Sequence, residues 1–264
     1  MQMENQSDRL LPKIVKDVCR RRAIQCDAFS DNWVLRLQRD GLVRWIVGYA
    51  TDINTAASAD LAADKVGCYQ ALRSAGIPAV EHYLVRSRAA DVFLAKNVEL
   101  LPQNEPVIVK PLLEHGGKGV LSFGTIAAAE RYVMGRPSGG WALSPRHEIM
   151  REDRYVVLDG RVLLVYSKTQ PANRDGLPMF NLGQGAVAQV VEPDQRACEL
   201  AVGAAAATGL RLCVADIVWL ADGSQRILEV NKSFVIERFA RQSPECYEYA
   251  QQAYEQIITA MMRG

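Results

Sequence analysis

The 264-residue chain has almost no net charge: 31 Lys and Arg against 30 Asp and Glu give +1 at pH 7. No global field therefore points to nucleic acid or to an anionic membrane as the main partner. Long apolar runs are absent too. The longest fall far short of the ~20 residues of a membrane span, and Met1 to Arg9 is largely polar, with no signal-peptide core. Six cysteines are present, but Cys19, Cys26, Cys68, Cys198, Cys213 and Cys246 never fall in the CxxC spacing of a zinc site. Several sit inside apolar periodic segments, where a thiol behaves as a small hydrophobe, so they are expected to be reduced and structural. No internal repeat and no low-complexity tract occurs. Composition is 49% hydrophobic and 23% charged, which excludes collagen, disorder and coiled coil. These absences describe a cytoplasmic globular protein whose function resides in a local site.

The periodicities predict a mixed α/β order. Leu11, Ile14, Val15 and Val18 form one helical stripe that closes in Arg20-Arg21-Arg22, a basic run suited to a solvated helix end. A strand is expected over Val43 to Tyr49, and one helix from about Ala56 to Ala75, ended by Gly76-Ile77-Pro78. Next come a strand near Ala79 to Val85, a helix near Ala89 to Lys96, the strand Val107 to Lys110, and a strand and helix reaching Met134. A strand near Trp141 precedes a hairpin of Arg154 to Leu158 and Arg161 to Lys168, turned at Asp159-Gly160. An Ala-rich helix spans Asp194 to Thr208. Strands follow at Leu212 to Leu220 and Arg226 to Val230, and a last helix begins at Ser243-Pro244. Trp33, Trp45, Trp141 and Trp219 fall in strand-like contexts and are expected in the core.

Two places carry chemistry. Glycines at 116, 117 and 119 let a backbone approach a ligand and turn its amides inward, and Lys110 and Lys118 flank them with positive charge. Phosphate suits such a loop, and so does a plain Gly-rich hairpin. Asp216 lies in one strand, while Glu229 and Asn231 share a face of the next at i and i+2. Three oxygen ligands of this kind suit Mg²⁺ bridging substrate phosphates, and they equally suit ordinary structural carboxylates. Taken singly, each feature stays open between the two readings. His82, His115 and His147 are expected to pack or to lie at the surface rather than to act as catalysts.

Together the motifs are more specific. Asp64-Lys65 opening a helix, Pro106-Val107-Ile108-Val109-Lys110 with its Gly loop, Asp216, and Leu228-Glu229-Val230-Asn231 resemble the ATP-grasp superfamily. Glu152-Asp153-Arg154-Tyr155, Tyr166-Ser167-Lys168 and Phe180-Asn181-Leu182-Gly183-Gln184-Gly185 look like its RimK-like branch of carboxylate-amine ligases. The resemblance covers roughly residues 50 to 264.

It implies an α/β (α+β) fold of two subdomains gripping ATP: a small one at 63–140, and a large one with the metal site at 141–264. A short partial α/β segment at 1–62 precedes them. The implied reaction activates a carboxylate as an acyl phosphate and joins it to an amine, releasing ADP and phosphate. A non-ligating ATP-binding regulator and a phosphotransferase remain as alternatives. By the same resemblance Lys65, Lys110, His115, Gly116, Gly117, Lys118 and Gly119 hold phosphates, and Glu148 and Ile149 belong to the adenine hinge. Arg154, Lys168 and Asn181 serve the transferred phosphoryl group. Asp216, Glu229 and Asn231 hold one or two Mg²⁺, with Mn²⁺ as a substitute. The partners implied are a small-molecule or peptide carboxylate and an amine, with no nucleic acid and no membrane. The shortness of the leading segment leaves room for a homodimer.

The chain departs from the family after Asn231, at Lys232-Ser233-Phe234-Val235-Ile236-Glu237-Arg238. Substrate recognition is therefore placed on Lys232, Arg238 and Arg241, the two arginines gripping a carboxylate from one helical face. The competing expectation is an ordinary Glu237–Arg241 surface pair.

Overall fold

Leu11, Ile14, Val15 and Val18 are buried on one stripe of the first helix, α1 (Leu10–Arg21). The computed structural model that shows this describes residues 8–88, 91–94, 101, 103–114, 116–136, 139–174 and 176–263. After α1 the chain forms an antiparallel meander of β1 (Gln25–Phe29), β2 (Val34–Arg39), β3 (Leu42–Val47) and β4 (Ala50–Thr51). Alternation decides its faces: Leu35, Leu37 and Ile46 point into the core, while Phe29, Val43, Trp45 and Val47 point out. Trp45, expected in the core, is 39% exposed and lies 6.2 Å from the Phe29 ring.

The single helix expected over 56–75 is two, α2 (Ala56–Ala63) and α3 (Lys65–Ser74). Asp64 separates them. Its backbone is extended and its Oδ1 accepts from the amides of Val66 and Gly67, both at 3.0 Å. A short carboxylate offers the backbone an alternative to continuing the helix and caps the next one instead. Lys65 thereby becomes the first residue of a helix.

The small sheet has the order β6-β5-β9-β7-β8, built from β5 (Tyr83–Arg88), β6 (Asp91–Leu94), β7 (Val107–Pro111), β8 (Leu121–Phe123) and β9 (Gly139–Pro145). Helix α4 (Ile126–Met134) packs on it. The helix expected near Ala89 to Lys96 is corrected: residues 91–94 are a strand paired antiparallel with β5, and the rest of that stretch lies outside the described residues. Val92 and Phe93 suit the strand, and pairing with β5 fixes it.

The large sheet, order β14-β11-β10-β15-β16, holds β10 (Ile149–Leu158), β11 (Arg161–Thr169), β14 (Val187–Val190), β15 (Leu212–Leu220) and β16 (Gln225–Asn231). A separate ribbon of β12 (Ala172–Arg174) and β13 (Leu177–Met179) lies between β11 and β14 in sequence. The expected hairpin, strands and Ala-rich helix are all present, with α5 (Gln195–Thr208) capped by Asp194 and stopped by left-handed Gly209.

The two faces of this sheet have different fates. Tyr155, Val157, Ala215 and Ile217 pack with the alanines of α5. On the other face Val156, Leu158, Leu164, Leu212 and Val214 pack with α1, the meander and α7 (Pro244–Met261), which follows α6 (Glu237–Ala240). Arg154, Asp216 and Lys168 lie farther along that second face, beyond its apolar end.

Glu237 joins the leading segment to the rest of the chain. Its buried carboxylate accepts from the amides of Leu10 (2.8 Å) and Leu11 (3.1 Å), two of the donors a helix start leaves unpaired. Glu237→Ala is expected to cost about 1.5–3 kcal/mol, the range for hydrogen bonds to a charged group. Urea unfolding of the variant measures the loss. A change under 0.5 kcal/mol would show that water or another acceptor replaces the carboxylate.

Candidate active site

The two sheets face each other across a solvent-open cleft of about 1160 Å³. From the small-sheet side come Lys65 at the start of α3, Lys110 on β7, and Gly116, Gly117 and Lys118 of the loop after β7. Arg154 and Glu152 of β10, Lys168 of β11, Asp216 of β15, Glu229 and Asn231 of β16, and Asn181 come from the large side. Apart from Glu152, these are residues singled out in the sequence, and with Ile149 they make twelve; Glu114, Ser144, Arg146 and His147 join them in the wall.

Strand register explains the large-side grouping. Tyr166 pairs with Arg154, Arg154 with Asp216, and Asp216 with Glu229, so four adjacent strands set one row on one face. Arg154 grips Asp216 bidentately, Nε to Oδ1 and Nη2 to Oδ2, both at 2.7 Å. Lys168 Nζ donates to Asp216 Oδ1 at 2.9 Å and also to Glu152 Oε1, and the Asn231 amide nitrogen approaches Asp216 Oδ2 at 3.4 Å. Burial works to raise the Asp216 carboxyl, but Arg154 and Lys168 outweigh it and hold the group at about 2. Burial dominates at Glu152 and pushes its carboxyl up, with Lys168 partly opposing. Sequence reasoning quoted Glu152 within a motif without giving it a role. The usable signal was its i,i+2 relation to Arg154, which sets both on one face of β10.

Lys110 is drawn down to about 8 by burial, against the opposing pull of Glu229 and with a push from Lys65. Lys65 is lowered by burial as well, and its Nζ donates to the carbonyls of Leu112 (3.1 Å) and Glu114. Counting histidine as neutral, six cationic side chains (Lys65, Lys110, Lys118, Arg146, Arg154, Lys168) meet four carboxylates (Glu114, Glu152, Asp216, Glu229) in the wall. The cleft thus carries an excess of two positive charges.

Other expected site residues lie elsewhere. Glu148 is exposed and outside the cleft wall, and its carbonyl is taken by the Ala221 amide at 3.1 Å. An exposed side chain is a poor reader of a base, so the acidic hinge role is corrected; His147, whose Nε2 lies 3.2 Å from Glu81 Oε2, occupies the wall there instead. Gly119 packs against Pro111 rather than facing the cleft, and His115 lies outside the described residues. Lys232 is 3.9 Å from Asp60 and not in the wall. Arg241, just past the end of α6, pairs with Glu237 at 3.5 Å and donates to the Asp8 carbonyl, outside the wall. Arg238, within α6, lies beside Gly183, again outside the wall. The two arginines have different neighbours.

Two sheets closing on a cleft lined by lysines and a Gly-rich loop define the ATP-grasp fold. Residues 62–245 match the RimK-like ATP-grasp domain, and the chain belongs to that family. No curated protein matches it. Among solved structures, D-alanine–D-alanine ligase from Bacillus anthracis shares 17% identity at a TM-score of 0.59, over 80% of this chain and 70% of that one. The D-cycloserine synthetase DcsG shares 22% at 0.55, over 75% and 71%. The ATP-grasp ligase PsnB, complexed with minimal precursor, shares 17% at 0.53 over 76% of this chain, which spans 63% of PsnB. At these identities the likeness is one of fold. Among the described residues no helix is long and apolar enough to cross a membrane.

Proposed function

We propose that the protein is an ATP-dependent ligase that activates a carboxylate as an acyl phosphate and transfers the acyl group to an amine, releasing ADP and phosphate. The observation that carries this reading is the convergence on one cleft of two half-buried lysines, a Gly-rich loop and an Asp–Glu–Asn oxygen set, with two positive charges in excess. A magnesium-bound triphosphate carries about −2 at neutral pH, equal and opposite to that excess.

Lys65 and Lys110 are assigned to the α- and β-phosphates, and the amides and Lys118 of residues 116–119 to the β- and γ-phosphates. Ile149 and the strand before it line the adenine side. Asp216, Glu229 and Asn231 are the oxygen-bearing side chains a hard cation would use: two are cross-strand neighbours, and few protein ligands leave room for phosphate oxygens. Since Arg154 and Lys168 hold the Asp216 oxygens and Asn231 turns its nitrogen to Asp216, binding would take one of those oxygens and turn the Asn231 amide. Mg²⁺ held there would neutralise charge as the phosphoryl group moves. Arg154 and Lys168 are pinned by Asp216 and Glu152, so they supply fixed positive charge beside the developing oxyanion with little reorganisation. Asn181 is placed as an amide donor at the same end. The amine acceptor and the carboxylate donor are small molecules or peptides; the similar structures include ligases with both kinds of substrate in their names.

The test is a panel of amino acids and peptides incubated with Mg·ATP, read by ADP release and by mass spectrometry for a condensation product. ADP formed only when carboxylate and amine are both present, with free phosphate, is the expected result. A phosphorylated alcohol would make the protein a phosphotransferase, and tight ATP binding without turnover across the panel would make it a regulator.

A further inference from the structure

The turn that presents Asn181 to the cleft is short, and Leu182 packs its half-buried side chain against the main core. Residues 182–184 form one short 3-10 turn with no buried residue, closed by Asn181 Oδ1 accepting from the Gly183 amide (2.7 Å) and by the Gln184 amide donating to the Asn181 carbonyl (2.8 Å). These bonds set the shape of the turn but not its location. Besides the packing of Leu182 on the core, its location rests on two close approaches at glycines. On one side, a Cβ at Gly117 of the phosphate loop would lie 2.9 Å from Gln184 Nε2, 3.1 Å from Met179 Cε and 3.7 Å from Asn181 Nδ2. On the other, a Cβ at Gly183 would coincide with the Arg238 guanidinium.

Arg238 has a firm base. It stands on α6 between Glu237 and Phe239, both buried, and Glu237 is bonded to the start of α1. A planar guanidinium can lie flat on a bare Cα and its flanking peptide groups, which neither a methyl group nor an ammonium reproduces. We infer that Arg238 is a positioning residue: seated on Gly183, its guanidinium fixes the turn that carries Asn181 against the Gly-rich loop. The leading segment thereby reaches the phosphate end of the cleft through Glu237, α6, Arg238 and Gly183 without touching a substrate. The functional part of this inference rests on the proposed reading of residues 116–119 as the phosphate loop. Arg238 keeps a role near the reaction, but as a brace and not as the substrate carboxylate clamp expected from sequence.

The two sides of the seat give a direct test. Arg238→Ala empties it, and Gly183→Ala evicts the guanidinium with a methyl group that also crowds Asn181 Oδ1 at 2.9 Å. Hydrogen exchange is measured on the full-length protein, free and with Mg·AMPPNP. In the free protein each variant is expected to speed exchange of residues 182–185 at least tenfold while α5 exchanges as in wild type. With Mg·AMPPNP each should lose at least tenfold of the protection gained by residues 116–119. The double variant should fall clearly short of the sum of the two single effects, because both remove the Arg238 contact. Arg238→Lys should behave like Arg238→Ala. Wild-type exchange in Arg238→Ala, additive effects in the double variant, or full recovery with lysine would each overturn the inference. The free-protein arm needs no nucleotide, so a failure of Mg·AMPPNP to bind wild type would count against the proposed function and leave the seat separately decided.

Discussion

Lys168→Met is expected to destabilise the fold by about 3–5 kcal/mol, the cost of breaking a buried ion pair by removing one partner. Lys168 is 4% exposed and is the contact that Glu152 and Asp216 share. Asp216 keeps the Arg154 fork, so the main burden falls on Glu152, whose carboxyl burial already raises. Without the ammonium that carboxyl rises further and takes up a proton on folding. The folded state then binds more protons than the unfolded one, and by linkage the variant loses stability as pH rises. The deficit relative to wild type should therefore be larger at pH 8 than at pH 5, and Glu152→Gln in the same chain should recover part of it. Denaturant unfolding at both pH values measures this. A deficit under 1 kcal/mol at pH 8, or no difference between the two, would show that water reaches Glu152 and that the cluster is not sealed.

Lys110→Met is expected to weaken Mg·ATP binding by about 1.5–3 kcal/mol, the scale of a hydrogen bond to a charged group, while making the fold more stable. The opposite signs have one cause. The free lysine lies at about 8 in the folded chain against 10.5 for an ordinary lysine, because burial penalises its charge. Holding it charged costs stability at neutral pH, and that cost fades as pH rises through the window from 8 to 10.5, where the unfolded chain binds more protons. Methionine removes the cost. A bound phosphate would instead compensate the charge and restore the proton. Wild-type ATP affinity should hold up to about pH 8 and decline above it, with proton uptake on binding, and the variant should show neither effect. Calorimetry in buffers of different ionisation enthalpy reads the uptake. Unchanged affinity in the variant would move the phosphate contact away from Lys110.

Much of the large sheet was legible because its signals are local. Asp159-Gly160 turns a hairpin, Asp194 and Gly209 bracket a helix, Ser243-Pro244 starts another, and the apolar run of β15 and the Asp222-Gly223 turn after it mark β15 and β16. The motif set was legible for the same reason: Lys65, Lys110, Arg154, Asp216, Glu229 and Asn231 occur at spacings that identify the family, and all of them line one cleft. Elements whose signal is weak or depends on a distant partner were missed. β1 and β2 carry Asp, Arg and Gln among their apolar residues, and they are strands because they pair with each other and with β3. The β6 segment, Asp-Val-Phe-Leu, is too short to show a period of its own and is a strand paired with β5.

What the sequence by itself determined was the family, the order of most elements and the chemical inventory of the cleft, since these depend on residue type and spacing along the chain. Tertiary structure alone decided which charges meet. Arg154, Lys168 and Glu152 gather around Asp216 because antiparallel register sets residues 62, 48 and 64 positions from it in sequence on one face, Arg154 and Glu152 on the adjoining β10 and Lys168 one strand beyond on β11. Arg238 within α6 and Arg241 just past its end have different neighbours, Gly183 and the Glu237–Asp8 pair, because so short a helix turns its side chains toward whatever packs around it. Contacts of that kind are fixed by sheet pairing and by the seating of α6 between the leading helix and the cleft, and a one-dimensional pattern holds no record of them.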